Sequence, residues 1–326
     1  MRALITGVAG FAGSHLAELL ISHGIEVYGL VMPGSALDNL NGIRTDPHRA
    51  ARLHLVEADI VHEEQLVRVV ADTRPEEVYH LAAASSVRQS LRDPAATFRV
   101  NVLGTRNLLE AIRRARITPR TLVVSSAEAY GASANKATPL HEEDPLLPVS
   151  PYGASKAAAE LLACSYWIHH RLPIIRVRPF PHTGPRHSPD FVFPDWARQL
   201  AEAEAGRRPS RLEVGNLEIR RDVSDVRDVV AAYVLALEKG EAGAVYNVCA
   251  GRACSLREAL DTLIDLARLP VKVVVDPARL RPTDIKVLAG TAQSLHACTG
   301  WAAASPLSRT LENLLSYWRD QLRSSR

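Results

Sequence analysis

Tyr152 and Lys156 stand four residues apart in Ser150-Pro-Tyr-Gly-Ala-Ser-Lys156. Ser150 and Pro151 read as the cap and first position of a helix, so the phenol and the amine share one helix face. A phenol with an ordinary pKa of about 10 is a poor base at neutral pH. An ammonium beside it favours the phenolate and lowers that value. Such a tyrosine can exchange a proton with a hydroxyl or carbonyl while a nicotinamide exchanges a hydride. A hydroxyl from another element must hold the reacting oxygen, and Ser125 and Ser126, ending an expected strand, are suited to it. Glu128 follows in Ser-Ala-Glu-Ala-Tyr-Gly. It reads either as a base beside the carbonyl carbon or as a solvated loop carboxylate.

A hydride carrier needs its own site, and Gly7-Val-Ala-Gly10-Phe-Ala-Gly13 offers one. One glycine permits a tight turn, one lets the backbone approach a pyrophosphate, and one lets helix and strand pack closely. The following helix then presents free N–H groups and its positive dipole end to the phosphates. The acid expected about 20 residues on, where NAD-binding chains hold the ribose, is missing: Leu30, Val31 and Met32 occupy that strand end. No arginine stands there to select NADP either. Asp59-Ile60 can reach an adenine, or Asp59 can simply form a turn. Ala82, Ala83 and Ala84 let a dinucleotide lie close to the backbone, or let a helix pack closely.

Strands are expected at 2–6, 27–32, 53–57, 78–81, 121–125 and 174–178, and helices at 14–23, 63–73, 95–115 and 151–170. This alternation predicts an α/β fold, a doubly wound parallel sheet of Rossmann type. Residues 179–195 hold five prolines and read as a long functional loop. Beyond it, 225–238 reads as helix, 244–248 as a strand completing the sheet, 255–267 as a helix opened by the capping box Ser255–Glu258, 271–275 as a strand, and 306–323 as a last helix. The expected dinucleotide domain is 1–178, completed by about 219–248. Residues 179–218 and 249–326 form a smaller interleaved lobe.

The 326 residues are nearly half apolar, with a formal net charge of +3 spread along the chain. That excludes a disordered chain and gives no nucleic-acid footprint. Cys164, Cys249, Cys254 and Cys298 form no C-x-x-C pair and no zinc spacing, so no metal is expected and free thiols in a reducing cytoplasm are. The first apolar run breaks at Gly7, unlike a signal peptide, and no run is long enough to span a membrane.

These residues resemble the extended short-chain dehydrogenase/reductases of the NAD-dependent epimerase/dehydratase family, which act on nucleotide sugars. The motifs are Thr6-Gly7-x-x-Gly10-x-x-Gly13, Asp59, His80-Leu-Ala-Ala, Asn101-Val-x-Gly104-Thr105, Ser125-Ser126, Tyr152-x-x-x-Lys156, Arg178-Pro179 with Gly184-Pro185, and Arg221-Asp222. Within that family His182-Thr-Gly-Pro185, Val214-Gly-Asn-Leu217, Asp225-Val-Arg-Asp228 and Leu280-Arg-Pro-Thr resemble the enzymes of GDP-6-deoxyhexose formation. The resemblance implies NAD or NADP as cofactor, a GDP-hexose as partner and a homodimer paired through helices 95–115 and 151–170. It implies that Gly7, Ala9, Gly10, Phe11, Ala12, Gly13, Asp59, Ile60, Leu81, Ala82, Ala83, Asn101, Ser125, Tyr152 and Lys156 bind the dinucleotide. Ser86, Arg88, Glu128, Pro181, His182, Arg198, Arg221 and Arg281 would face the sugar nucleotide, and Ser126, Glu128, Tyr152 and Lys156 would be catalytic.

Two activities share these motifs: a GDP-4-keto-6-deoxy-mannose reductase yielding GDP-rhamnose, and a GDP-mannose 4,6-dehydratase. Ser126 stands where the dehydratase has Thr, and Val31-Met32-Pro33 where it has arginines, which favours the reductase. Pro181 departs from both, because the family has Asn there to hydrogen-bond the substrate. A non-catalytic dinucleotide-sensing regulator is a third reading of the fold, and the intact Ser126, Tyr152 and Lys156 speak against it.

Overall fold

The computed structural model describes residues 1–280 and 285–324. Seven strands form one sheet: β1 (Arg2–Thr6), β2 (Glu26–Val31), β3 (Leu53–Glu57), β4 (Glu77–His80), β5 (Arg120–Val124), β6 (Ile174–Pro179) and β7 (Val245–Val248). Their spatial order is β7-β6-β5-β4-β1-β2-β3, and every pairing is parallel. The order reverses between β1 and β4, and ligands of such sheets bind beyond the strand ends at that switch point. Register brings Thr6 opposite His80, and His80 opposite Val123.

Eight longer helices follow: α1 (Phe11–Ser22), α2 (Glu63–Thr73), α3 (Gly104–Arg114), α4 (Pro151–His170), α5 (Val192–Glu204), α6 (Val226–Lys239), α7 (Leu256–Ala267) and α8 (Leu307–Ser324). Alternate strand residues serve opposite faces. Ile5, Leu122 and Ile175 pack with α1 and α6, while the neighbouring Leu4, Val123 and Ile174 pack with α2, α3 and α4. Burial on both faces explains why these strands read as continuous apolar runs. A second core joins α5, α7 and α8 through Trp196, Leu200, Leu260 and Leu314, beside the short parallel pair Arg211–Val214 and Lys272–Val275.

Two expectations need correction. The single helix expected over 95–115 is three pieces: Pro94–Phe98, a widened π-type turn at Arg99–Leu103, and α3. In it the Thr105 hydroxyl donates to the Asn101 carbonyl at 2.6 Å. The five-proline stretch is not all loop. His182–Thr183 pairs with Ser224–Asp225, and α5 starts at Val192. Pro194 lies in the first turn of α5, where a missing N–H costs no intrahelical bond. The capping box is present in both halves.

Candidate active site

Tyr152 begins α4, whose cap is Ser150: its hydroxyl accepts from Gly153 N at 3.1 Å. A cap of this kind contributes about 1 kcal/mol. The Tyr152 N–H donates to Ser90 Oγ (3.1 Å), so the short helix Val87–Arg92 fixes the start of α4. Ser126 Oγ accepts from Glu128 N at 3.2 Å, which holds the turn after β5. The two elements touch at Gly153, where a Cβ would lie 2.5 Å from the Glu128 carbonyl oxygen. This close approach brings Ser126, Glu128 and Tyr152 together, and Ser126 is hydrogen-bonded to the Tyr152 side chain. The Ser125 hydroxyl faces α4 instead, donating to the Lys156 carbonyl at 3.4 Å.

Desolvation of its hydroxyl pushes Tyr152 up to about 12; the Glu128 carboxylate adds to this and the Ser126 bond only partly opposes it. The phenol is thus raised rather than lowered as expected, because burial disfavours its charged form. Lys156 is buried, donates to the Val124 carbonyl, and is itself pushed down to about 8 by desolvation, with Glu160 one turn on opposing the shift. Glu160 is paired with the buried Arg178, whose Nε and Nη2 reach its carboxylate at 2.6–3.1 Å.

The glycine loop fits a dinucleotide pyrophosphate. Gly7 has φ +75°, and a Cβ there would lie 2.9 Å from the Ala82 backbone. A Cβ on Gly13 would lie 2.2 Å from the Gly7 oxygen. The N-terminus of α1 at Gly10 carries no side-chain cap, so its N–H groups face outward as an anion site requires. Leu81, Ala82 and Ala83 line the opposite side at the end of β4, and Asn101 grips that segment: Oδ1 accepts from Ala84 N (2.8 Å) and Nδ2 donates to Ala84 O (3.2 Å). Asp59 makes the turn, Oδ1 accepting from Val61 N at 3.1 Å. Ile60 follows, its side chain buried against Gly104 and its carbonyl accepting from Asn107. The ring of Phe11 stacks on His187 (4.2 Å, 7°) and, more distantly, on His182 (5.7 Å, 14°). Ala9 is tied to the loop after β2 through Asn39 Nδ2 (3.0 Å), and Ala12 lies in the first turn of α1.

The expected sugar-nucleotide residues are less uniform. Ser86 caps the Val87–Arg92 helix, and Arg88 is exposed on it. The Pro181 carbonyl accepts from Ser224 N (3.0 Å). Arg198 is paired with Asp195 and Glu202 of its own helix. Arg221 is buried, its Nη1 donating to the carbonyls of Arg220 and Ile285. Arg281 lies outside the described residues. Sequence reasoning missed Ser90, Ser155 and Arg186. Arg186 has φ +72° and binds Glu18, His15 and the Asn39 carbonyl. None of the three carries a spacing signal, since each acts across more than 50 residues of chain or inside a turn.

A family profile described as GDP-mannose 4,6 dehydratase matches residues 4–314. The chain belongs to this family. It is 37% identical over 323 residues to a GDP-6-deoxy-D-mannose reductase of Pseudomonas aeruginosa, covering 99% of this chain and 98% of the relative. It is 33% identical over 309 residues to GDP-mannose 4,6 dehydratase 2 of Arabidopsis thaliana, covering 92% and 82%. A solved structure of RMD from Pseudomonas aeruginosa complexed with NADPH superposes with a TM-score of 0.83 at 34% identity over 98% and 99% of the chains. The family member is thus an NAD(P)-dependent enzyme of Rossmann fold, as the glycine loop and Tyr152-x-x-x-Lys156 anticipate.

Proposed function

We propose that this protein reduces the C4 ketone of GDP-4-keto-6-deoxy-mannose with NADH or NADPH, giving GDP-rhamnose. The observation that carries the reading is the meeting of Tyr152 with Ser126 where the start of α4 touches the turn after β5; burial keeps the phenol protonated there. Reduction of a ketone needs an acid at the oxygen, and a protonated phenol is one. The match to the Pseudomonas reductase along nearly the full length of both chains supports the same choice.

When bound, the nicotinamide supplies the hydride to C4. Tyr152 and Ser126 hold the C4 oxygen between their hydroxyls, and Tyr152 releases its proton to that oxygen to leave a secondary alcohol. Lys156, one turn along α4, stabilises the phenolate left behind. The Gly7–Gly13 loop and the Leu81–Ala84 segment hold the dinucleotide, Gly7, Gly10 and Gly13 by making room for it. Arg221 and His182 remain the candidates for the sugar nucleotide.

Glu128 favours a second reading, a GDP-mannose 4,6-dehydratase, because its carboxylate lies close enough to Tyr152 to raise the phenol's pKa. There Glu128 would take the C5 proton as water leaves from C6. Two incubations separate the readings: GDP-mannose with no added reductant, and the keto sugar with NADPH. A 4-keto-6-deoxy product in the first contradicts a pure reductase, and NADPH oxidation in the second supports it.

The reading includes a dinucleotide unit of 1–178 with 219–248, and a sugar-nucleotide lobe from the remainder. It includes a homodimer, supported by Leu161 and Ile168, seven apart on α4 and 60% and 48% exposed, with Phe98 and Leu103 exposed nearby. It also includes a reducing, cytoplasmic setting, supported by four cysteines that stand as free thiols. Among the described residues no helix is long and apolar enough to cross a membrane.

A further inference from the structure

We propose that His80 is a positioning residue whose two ring nitrogens hold the cofactor floor and the catalytic helix in one register. His80 lies in a chain of buried hydrogen bonds with a forced direction. Thr105 Oγ1 donates its single hydrogen to the Asn101 carbonyl at 2.6 Å. It lies 2.9 Å from His80 Nε2, so it must accept there, and Nε2 carries the ring's hydrogen. His80 Nδ1, 2.8 Å from Thr6 Oγ1, is then the acceptor, and Thr6 donates to it. The Thr6 oxygen in turn accepts from Ala82 N at 3.1 Å. On the far side Asn101 Nδ2 donates to Ser155 Oγ (2.9 Å), and Ser155 donates to the Tyr152 carbonyl (2.7 Å).

The run is continuous from Ala82, beside the glycine loop, to Tyr152. Thr6, His80, Asn101, Thr105 and Ser155 are all buried. Each hydroxyl in it donates once and accepts once, and each ring nitrogen is used once, so the set is satisfied and rigid. Only a neutral Nε2–H imidazole completes it. Desolvation, with the Lys156 charge adding to it, keeps His80 neutral. The two ends of the run hold the two partners of the reaction: the floor against which a dinucleotide lies, and the turn that carries the proton donor. A misplacement of about 1 Å between reacting groups costs on the order of a hundredfold in rate, which is the precision such a strut protects.

The inference rests on the oxidoreductase reading, and its test has an arm that needs no sugar. The amide of Asn stops at the position of Nδ1, and that of Gln extends to the position of Nε2. His80→Asn therefore keeps the bond to Thr6 and loses the one to Thr105; His80→Gln does the reverse. We expect His80→Gln to raise the NADPH dissociation constant, measured by fluorescence titration, by about tenfold, the effect of one lost buried hydrogen bond, with kcat lowered by no more than about threefold. His80→Asn should do the opposite, lowering kcat about tenfold at saturating NADPH with little change in Kd. Thr6→Val should follow the Gln pattern and Thr105→Val the Asn pattern, with His80 itself untouched. A split of this kind supports the proposal. Equal losses in both parameters for the Thr6 and Thr105 variants, or a fall in melting temperature alone, overturn it. NADPH binding split as expected, with no reduction by the parent protein, would refute the reaction and not the strut.

Discussion

In the proposed reduction the proton donor must keep its proton until the hydride arrives, and Tyr152 suits that role because its hydroxyl is desolvated at the start of α4. Pro181 has neither a side-chain donor nor an N–H, where the family has Asn. Pro181→Asn is expected to lower KM for the keto sugar by about five- to tenfold, the worth of one recovered hydrogen bond, with kcat changed less. Steady-state kinetics checks this, and an unchanged KM would mean that position 181 does not face the sugar. The sequence carries Tyr152, Lys156 and the three glycines openly, since their chemistry depends on type and spacing. It does not carry the pKa of Tyr152. That value is set by burial of the hydroxyl, with Ser126 and Glu128 acting on it, and their meeting is a tertiary event. It likewise hides that Arg198 pairs with both Asp195 and Glu202, because a helix charge pattern does not say which partner is taken.

Helix α4 forms where its local signals say it should: Ser150 caps it, Pro151 occupies its first position and it runs to His170. Most strands of the sheet are as legible, since burial on both faces leaves their centres largely apolar. The break at Arg99–Leu103 is not legible, because its buried Asn101 is ordinary in a helical pattern and acts only through Ala84 and Ser155. Helix α5 is hidden by Pro194, a residue that stops helices except in their first turn. The outer face of α4 makes a claim at this scale. Leu161 and Ile168 are apolar and exposed, seven residues apart and so on one face. The double substitution Leu161→Glu with Ile168→Glu is expected to convert a dimer into a monomer, read as a halved mass by light scattering. A variant that stays dimeric, or a parent that is monomeric, removes the pairing through this helix.

The whole molecule stores acid sensitivity in its buried histidines. Desolvation lowers His80 to about 3, and desolvation with the Arg186 charge lowers His15 to about 4. Their folded pKa values lie below the ordinary 6.5, so the unfolded chain takes up protons that the fold refuses. The stability they provide is complete above about pH 6.5 and is lost as pH falls toward 4 and 3. Asp222, raised to about 6 by desolvation, acts in the opposite sense and offsets one of these protons below pH 6. His187, also lowered to about 3 by desolvation, adds to the loss from a more open site. At about 1.4 kcal/mol per proton and pH unit, the unfolding free energy should fall by about 1.5–3 kcal/mol from pH 6 to pH 5. Denaturant titrations at the two values measure it, and a flat profile contradicts the burial of these rings.

The proposed reduction needs the protonated phenol, the helix that carries it and the switch point that brings a dinucleotide beside it. NADPH oxidation by the purified protein with GDP-4-keto-6-deoxy-mannose tests it most directly. The account predicts one equivalent of NADPH consumed for each sugar reduced and GDP-rhamnose as the product. No oxidation of NADPH, together with conversion of GDP-mannose to the keto sugar without any reductant, would contradict it.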